Sequence, residues 1–361
     1  MGYFLTEEEL ELENTVRKFF SEQISSEYLR ERINNKIRND TRLWKKIDEL
    51  GVLEIFGADP DCRPSFQGLS AIAYQAGRAL FPECIAEIIL AGPYLASKTG
   101  GGDSVLRDDI LAGRQKVVPL VLSASRTDLE IKESKNGTAK ISGEAKYVAA
   151  VETGDILLIV SKDGLFLVGS YKNDESVQVS ACGSLDLTSA LSNLAFSETV
   201  AHKLEGITPQ EFTAFYRIIK SAEISGAASR AVEMTVEYTK ERKQFGVPVG
   251  GFQAVQHGAS EMYLKTEALT ALTDFAAWAV DSSTEQLSLA SSAAITLAVR
   301  YGPSVVEKAI QLHGGIGFTW EFDLHLYLRR VWDIAMRFKP DHSHASELLE
   351  SARKAVAINE F

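Results

Sequence analysis

Two short segments in the last third of the chain contain residue types that can bind phosphate. The first, ERKQFGVPVGGFQAVQH, covers residues 241–257 and begins where a long helical pattern ends. Arg242 carries a planar guanidinium that does not lose its charge and can donate two parallel hydrogen bonds to phosphate oxygens. Phe245 and Gly246 then break the helical pattern and turn the chain, and the phenyl ring can pack on a flat ligand or on the core. The segment is a candidate clamp for a pyrophosphate group.

The second segment, QLHGGIGFTWEFDLHLYLRR, covers residues 311–330. Its paired glycines, Gly314 and Gly315, let a backbone approach a ligand more closely than any residue with a Cβ would allow. Gln311 can hydrogen-bond the polar edges of such a ligand. Taken singly, the residues of both segments are more often found at ordinary helix ends, where an arginine cap is solvated and a glycine forms the C-cap.

The histidines and cysteines do not indicate a metal site. The six histidines are dispersed except for His342 and His344, whose spacing near a helix start is typical of a solvated turn. The cysteines Cys62, Cys84 and Cys182 are odd in number, far apart and in no metal-ligand spacing. We therefore expect reduced thiols, with neither a disulfide framework nor a bound metal.

Composition and charge limit the partners of the chain. Its 361 residues include 45% hydrophobic and 24% charged residues, which are ordinary globular values, and its net charge is -11. A negative chain is a poor partner for nucleic acid or an anionic membrane, because both require clustered Lys and Arg. The N-terminal sequence MGYFLTEEELELENTV is acidic where a signal peptide is basic and then apolar, and no apolar run is long enough for a membrane span. These features predict a cytoplasmic protein.

The predicted helices and strands divide the chain into three regions. Residues 1–113 show helical periodicity and form the first predicted domain; Thr6 and Glu9 predict a capping box, and Gly51 a helix C-cap. Residues 114–207 are short β-branched runs separated by turns, which predict a compact β domain.

Helical periodicity returns in residues 208–361, the third predicted domain. Its predicted helices cover residues 211–243, 253–280, 285–312 and 343–357. Four long helices favour a bundle.

Together, the two segments in this order, with LWKKIDELGVL and LDLTSALSNLAFS elsewhere, resemble the acyl-CoA dehydrogenase family over nearly the whole chain. The resemblance implies a mainly α, α+β fold with an N-terminal helical domain, a middle β-barrel-like domain and a C-terminal four-helix bundle. It implies FAD as cofactor, an acyl-CoA substrate and electron-transfer flavoprotein as the electron acceptor. In that family the two segments reach across a subunit interface and hold the adenosine diphosphate half of FAD bound mainly by the neighbouring subunit. The cofactor-binding residues implied here are Arg242, Gln244, Phe245, Gln311, Gly314 and Gly315.

The catalytic half of the resembled site is altered. The family abstracts a proton with a glutamate placed either after the Gly-Gly pair or on the helix before the arginine. Counting along the chain puts Phe338 and Tyr216 at these positions, and neither side chain is an effective base at neutral pH. The family's Thr-Glu-Pro and Gly-Ser-Asp loop is shortened to SASRTDLEI, and its Trp-Ile-Thr reads Tyr147-Val148-Ala149.

The expected function is FAD-dependent α,β-dehydrogenation of an acyl-CoA. The chain resembles the partner subunits of bacterial heteromeric acyl-CoA dehydrogenases, in which another subunit supplies the base, so a homo-oligomer or a hetero-oligomer is implied. A relocated base is the alternative, and the candidate carboxylates are Asp333, Glu321, Asp341 and Glu211. A non-catalytic structural protein, or a different flavin reaction on the same fold, also remains open.

Overall fold

A computed structural model describes residues 5–57, 63–98, 104–122, 126–133, 137–149, 152, 155–169, 175–282 and 284–338, with a few positions between 346 and 353. The N-terminal helices are α1 (Glu7–Gln23), α2 (Ser26–Asn34), α3 (Thr41–Glu49), α4 (Phe66–Ala79), α5 (Ile85–Ile89), a π-helix (Leu90–Tyr94), α6 (Leu95–Lys98) and α7 (Ser104–Leu111). Thr6 and Glu9 form the predicted capping box at the start of α1, and Gly51 adopts the predicted left-handed conformation (φ 71°) after α3.

The middle of the chain is one seven-stranded sheet. Its strands are β1 (Val117–Val121), β2 (Arg126–Glu133), β3 (Thr138–Ala149), β4 (Ile156–Ser161), β5 (Gly164–Val168), β6 (Val177–Cys182) and β7 (Leu191–Leu204). The order is β1-β4-β5-β7-β3-β2, with β6 also paired to β7; of the strand pairs in the described part of this region, β1–β4 is parallel and the others are antiparallel. The strands have an apolar core of their own, which includes Leu120, Ile159 and Phe166. A bulge in β3 before Val148 places Tyr147 at positive φ, and its ring is exposed.

Four long α-helices follow within residues 208–338: α8 (Pro209–Glu241), α9 (Gln253–Ser282), α10 (Thr284–His313) and α11 (Leu324–Phe338). The first half of α8 is buried on nearly every side, which makes it the central helix. The predicted fold class, mainly α with a β unit between two helical regions, is confirmed. Helix α11 was not among the predicted helices, and the predicted helix 343–357 lies largely outside the described residues.

Two glycines allow α4 and α8 to cross with their backbones in contact. A Cβ added to Gly77 would lie 1.9 Å from the carbonyl oxygen of Glu223, and one added to Gly226 would lie 1.9 Å from that of Tyr74. Any side chain at either position would therefore push the helices apart. The crossing fixes the part of α8 that carries the charged residues described below.

Candidate functional site

The end of α8 and the hairpin after it carry three of the predicted cofactor-binding residues. Arg242 is the C-cap of α8, and its backbone N–H donates to the carbonyl of Tyr238 at 2.9 Å. Strands β8 (Lys243–Gln244) and β9 (Val247–Pro248) pair around Phe245 and Gly246, whose φ angles are 52° and 82°. Positive φ at both central residues is typical of a two-residue hairpin turn. Arg242, Gln244 and Phe245 are all exposed, and the Phe245 side chain is 92% accessible.

The end of α10 carries the other three. Gln311 lies in the last turn, where its amide oxygen accepts a hydrogen bond from Lys308 at 3.0 Å. Gly314 has a φ of 67° and opens a 3₁₀ turn (Gly314–Phe318). A Cβ built on Gly314 or Gly315 would meet nothing of this chain within 4 Å. The pair therefore presents bare backbone to the outside of the molecule, and at Gly314 the left-handed conformation also favours glycine.

A ring stack holds the two helix ends together. Tyr238 of α8 stacks on His313 of α10 with ring centroids 4.4 Å apart and planes 18° apart, and Phe322 packs on both. Burial lowers the pKa of His313, so this ring stays neutral near pH 7. Because Arg242 is one turn beyond Tyr238 and Gly314 directly follows His313, the two predicted segments meet on one surface.

This surface is partly apolar. Phe245 contacts Phe252 edge-on, with ring centroids 6.3 Å apart, and both side chains are exposed. Ile316, Phe318 and Trp320 are exposed on the neighbouring segment. We call the exposed set formed by the 242–252 hairpin and residues 311–320 the hairpin surface. Several exposed large apolar side chains beside hydrogen-bonding groups are typical of an interaction surface.

The residue types on the hairpin surface fit the diphosphate end of a dinucleotide. Within the described residues, the Arg242 guanidinium has no ion pair or side-chain hydrogen bond, so all its donors remain available to phosphate oxygens. The glycine backbone offers close approach, and Phe245 offers a ring face. These groups are exposed on the surface of the chain, so a ligand that they hold would also be open to contact with a second protein subunit.

The two expected base positions lie together in the interior. Tyr216 of α8 and Phe338 at the end of α11 are buried, and their ring centroids are 6.0 Å apart. Burial raises the pKa of the Tyr216 phenol above its ordinary value, which keeps the hydroxyl protonated. Neither residue offers a group that accepts a proton at neutral pH.

Beside these rings, buried charges fill the space between the helices and the sheet. Lys220 forms ion pairs with Glu223 at 2.8 Å and with Glu87 of α5. Arg330 of α11 forms an ion pair with Glu223 at 2.8 Å and a second one with Asp186, which lies between β6 and β7. We call these five residues the charge network. The cavity that they line with Ala149 measures about 40 Å³.

The charge network leaves no free base. Burial opposes ionisation of Glu223, but the charges of Lys220 and Arg330 outweigh it and lower its pKa to about 2. Burial likewise favours a neutral Lys220, yet Glu223 and Glu87 raise its pKa above the ordinary value. Each carboxylate of the network forms an ion pair with Lys220 or Arg330, so proton transfer would cost the energy of an ion pair.

The alternative base candidates do not reach this cavity as free carboxylates. Asp333 lines it but forms an ion pair with Arg337 at 2.7 Å. Glu211 completes a capping box with Thr208 at the start of α8. Glu321 is exposed, and Asp341 lies outside the described residues, as do His342, His344 and Cys62. Of the shortened stretch SASRTDLEI, residues 123–125 also lie outside them, and residues 126–131 belong to β2.

A larger cavity of about 750 Å³ lies between the sheet and the first turns of α8. Arg217 lines it and is nearly fully buried, with a hydrogen bond to the Ser292 hydroxyl at 3.3 Å. Sequence reasoning missed both Arg217 and the charge network. Single charges inside otherwise apolar helical runs, as in FYRIIKSAEI, are the signal that would have located them.

Across the described residues we find no helix long and apolar enough to span a membrane. The same residues contain no group of three or more His, Cys, Asp and Glu side chains placed to hold a metal.

Comparison with known proteins identifies the fold of the chain and the family to which its C-terminal domain belongs. Residues 208–332 match the family model described as acyl-CoA dehydrogenase, C-terminal domain. Over 276 residues, 75% of this chain, the sequence is 30% identical to acyl-CoA dehydrogenase FadE34 of Mycobacterium tuberculosis. The alignment spans only 36% of FadE34, little more than a third of that relative.

Two solved structures have the same fold. A steroid acyl-CoA dehydrogenase variant, Tcur3481-Tcur3483, superposes with a TM-score of 0.85 at 24% identity, over 97% of this chain and 99% of that one. The ChsE4-ChsE5 complex from Mycobacterium tuberculosis gives 0.83 at 20% identity, over 99% of both chains. The chain is therefore an acyl-CoA dehydrogenase homologue that carries the family's C-terminal domain at residues 208–332.

Proposed function

We propose that this chain is the partner subunit of an FAD-dependent acyl-CoA dehydrogenase and completes a flavin site whose base another subunit supplies. One observation supports this proposal above the others. The residues suited to the adenylate end of FAD are exposed. By contrast, the two positions expected to carry the base are occupied by the buried rings of Tyr216 and Phe338, and the cavity lined by the charge network measures only about 40 Å³.

On the hairpin surface, Arg242 would pair with the FAD diphosphate, Gln244 and Gln311 would hydrogen-bond its polar edges, and Gly314 and Gly315 would bring backbone against it. When bound, FAD supplies the acceptor for the hydride that leaves the acyl-CoA. The exposure of the whole set supports a cofactor whose remaining contacts come from a second subunit.

The part of the interior around the charge network argues against dehydrogenation by this chain alone. Small-molecule sites commonly occupy roughly 300–1,000 Å³, and the cavity lined by the charge network is far smaller. The proton next to a thioester needs a base, and every carboxylate of the charge network is already paired with a cation. Lys220 and Arg330 would have to lose these pairs before a ligand could enter.

The partner is therefore a second acyl-CoA dehydrogenase subunit that carries the base and binds the acyl-CoA. Two structural neighbours are named as pairs of gene products, Tcur3481-Tcur3483 and ChsE4-ChsE5, and the latter is described as a complex. We propose the same kind of assembly here, in the cytoplasm, with electron-transfer flavoprotein as the acceptor of the electrons. A homo-oligomer is the competing assembly.

The test is the flavin spectrum of the chain purified alone and after co-expression with an acyl-CoA dehydrogenase homologue encoded beside it. We expect a colourless lone chain and a yellow complex that an acyl-CoA bleaches. A yellow lone chain, bleached by an acyl-CoA, would refute the proposal and support a self-sufficient homo-oligomer.

Within the complex, Arg242→Ala should weaken FAD binding by about 1–3 kcal/mol, the range for a lost charge-assisted hydrogen bond. Lys240→Ala is the matched control, because Lys240 is an exposed cation in the last turn of the same helix. Equal flavin retention in the two variants would count against the clamp.

A further inference from the structure

We propose that a cavity enclosed by α1, α4, α8 and α9 binds a small organic cation with a primary ammonium group. The cavity measures about 460 Å³. Its lining shares no residue with the hairpin surface or with the charge network. The proposal therefore stands independently of the proposed flavin function.

The charged groups of this cavity are all negative. Glu13 of α1 and Asp274 of α9 line it, and its described lining contains no lysine or arginine. Burial, followed by the negative charges of Glu13 and Glu267, raises the pKa of Asp274 to about 6. No cation is among the groups that perturb Asp274, so the carboxylate lacks the counter-charge that a bound ammonium would provide.

An unpartnered hydroxyl supports a ligand in the same place. Ser70 of α4 lines the cavity and is only 4% accessible, yet its hydroxyl makes no hydrogen bond to any described residue. This hydroxyl can therefore accept a hydrogen bond from an ammonium group in the cavity. Ser225 and Thr270 lie on the same lining and bond each other at 2.6 Å.

The size and the walls favour an organic cation over a metal ion. The volume lies in the range of small-molecule sites rather than that of a single ion. In the part of the chain that the structure describes, no cluster of three metal-ligating side chains occurs. Leu5, Leu10 and Ala277 give the lining an apolar part that an alkyl chain can contact, while Glu13 and Asp274 receive the ammonium.

The experiment is isothermal titration of the full chain with 1,4-diaminobutane at pH 7.5, using wild type, Asp274→Asn and Glu11→Gln. Glu11 is the control, because it is an exposed carboxylate on α1 outside the cavity lining. We expect saturable binding that weakens at least about tenfold in Asp274→Asn, which removes an ionic partner. Binding to Glu11→Gln should match wild type.

Binding should also weaken from pH 7.5 to pH 5, because Asp274 takes up a proton while the diamine stays charged. The other titratable groups that face Asp274 are Glu13 of α1, Tyr74 of α4 and Glu267 of its own helix; the described lining contributed by α8 has none.

Three outcomes would overturn the proposal: no saturable binding of the diamine, equal binding by Asp274→Asn and wild type, or displacement of the diamine by equimolar MgCl₂, which would indicate a metal site. Asp274→Asn should fold, because the change relieves repulsion from Glu13 and Glu267. Should it not fold, Glu13→Gln gives the same test, since glutamine keeps the size of the side chain and can still bond Gln75.

Discussion

Replacement of Arg330 by methionine tests whether the charge network holds the closed interior together. The guanidinium forms ion pairs with Asp186 and Glu223, donates to the Thr188 hydroxyl at 2.9 Å and donates twice to the carbonyl of Phe81 at 3.1 Å. Methionine fills part of the space but supplies no donor and no charge. Two buried carboxylates would then have lost a cation each.

The expected loss follows from the pKa of Glu223. The shift of the Glu223 pKa from 4.5 to about 2 corresponds to about 3 kcal/mol of folding free energy, at about 1.4 kcal/mol per pKa unit, and Arg330 supplies only part of it because Lys220 also lowers this pKa. Removing one partner of a buried ion pair costs about 3–5 kcal/mol in general. We therefore expect Arg330→Met to lower the free energy of unfolding by about 3–5 kcal/mol at pH 7.

Urea denaturation followed by circular dichroism measures this loss. Arg329→Met is the matched control, because Arg329 is the adjacent arginine on α11 and, among the described residues, its side chain makes one long hydrogen bond, to the carbonyl of Leu185 at 3.3 Å. We expect the control to lose less than about 1 kcal/mol. If Arg330→Met were no less stable than the control, the network would not stabilise the fold, and the interior could open to a ligand.

Three further predictions concern the helix crossing, the buried phenol and acid stability. Gly226→Ala should destabilise the chain by about 1–3 kcal/mol through overpacking, whereas Gly183→Ala, with open space around it, should be nearly neutral; equal denaturation midpoints would contradict the contact. Tyr216→Phe should leave turnover of the assembled complex within about twofold, because a protonated phenol is no base; loss of turnover with unchanged flavin content would assign it a role. Because the pKa of Glu223 is depressed, its stabilisation should be complete above about pH 4.5 and vanish as pH falls towards about 2; Glu223→Gln should flatten this pH dependence of the urea midpoint.

Helix ends and the fold class were predictable because they depend on local sequence. The Thr6–Glu9 capping box and the glycine after α3 are formed by residues within a few positions of each other. Helix α11 was missed because its segment had been interpreted mainly as part of a ligand motif. Its apolar residues nevertheless recur at helical spacing, as Leu324, Tyr327, Val331, Ile334 and Phe338 show, all of them buried.

The interior of the site could not be predicted because its contacts join distant parts of the chain. Asp186 and Arg330 are 144 residues apart, and Glu223 and Arg330 are 107 apart. No local pattern encodes these pairs, and an isolated charge in an apolar helix is compatible with a buried ion pair or with a ligand contact. The exposed residues Arg242 and Gly314 could be proposed from the sequence because each lies in a local motif, and the two motifs together carry the family resemblance.

The buried ion pairs that leave this chain without a free base also join its helices to the β unit. Glu87 lies on α5, Lys220 and Glu223 on α8, Arg330 on α11 and Asp186 in the sheet region, so the charge network links three helices to the β unit. An open chamber would separate the same elements and leave these charges facing a ligand. A subunit that only completes its partner's site has no need of that opening, and the ion pairs then rigidify the body that presents the hairpin surface. Under the proposed function, the closed charge network and the exposure of Arg242 would both follow from one division of labour between subunits.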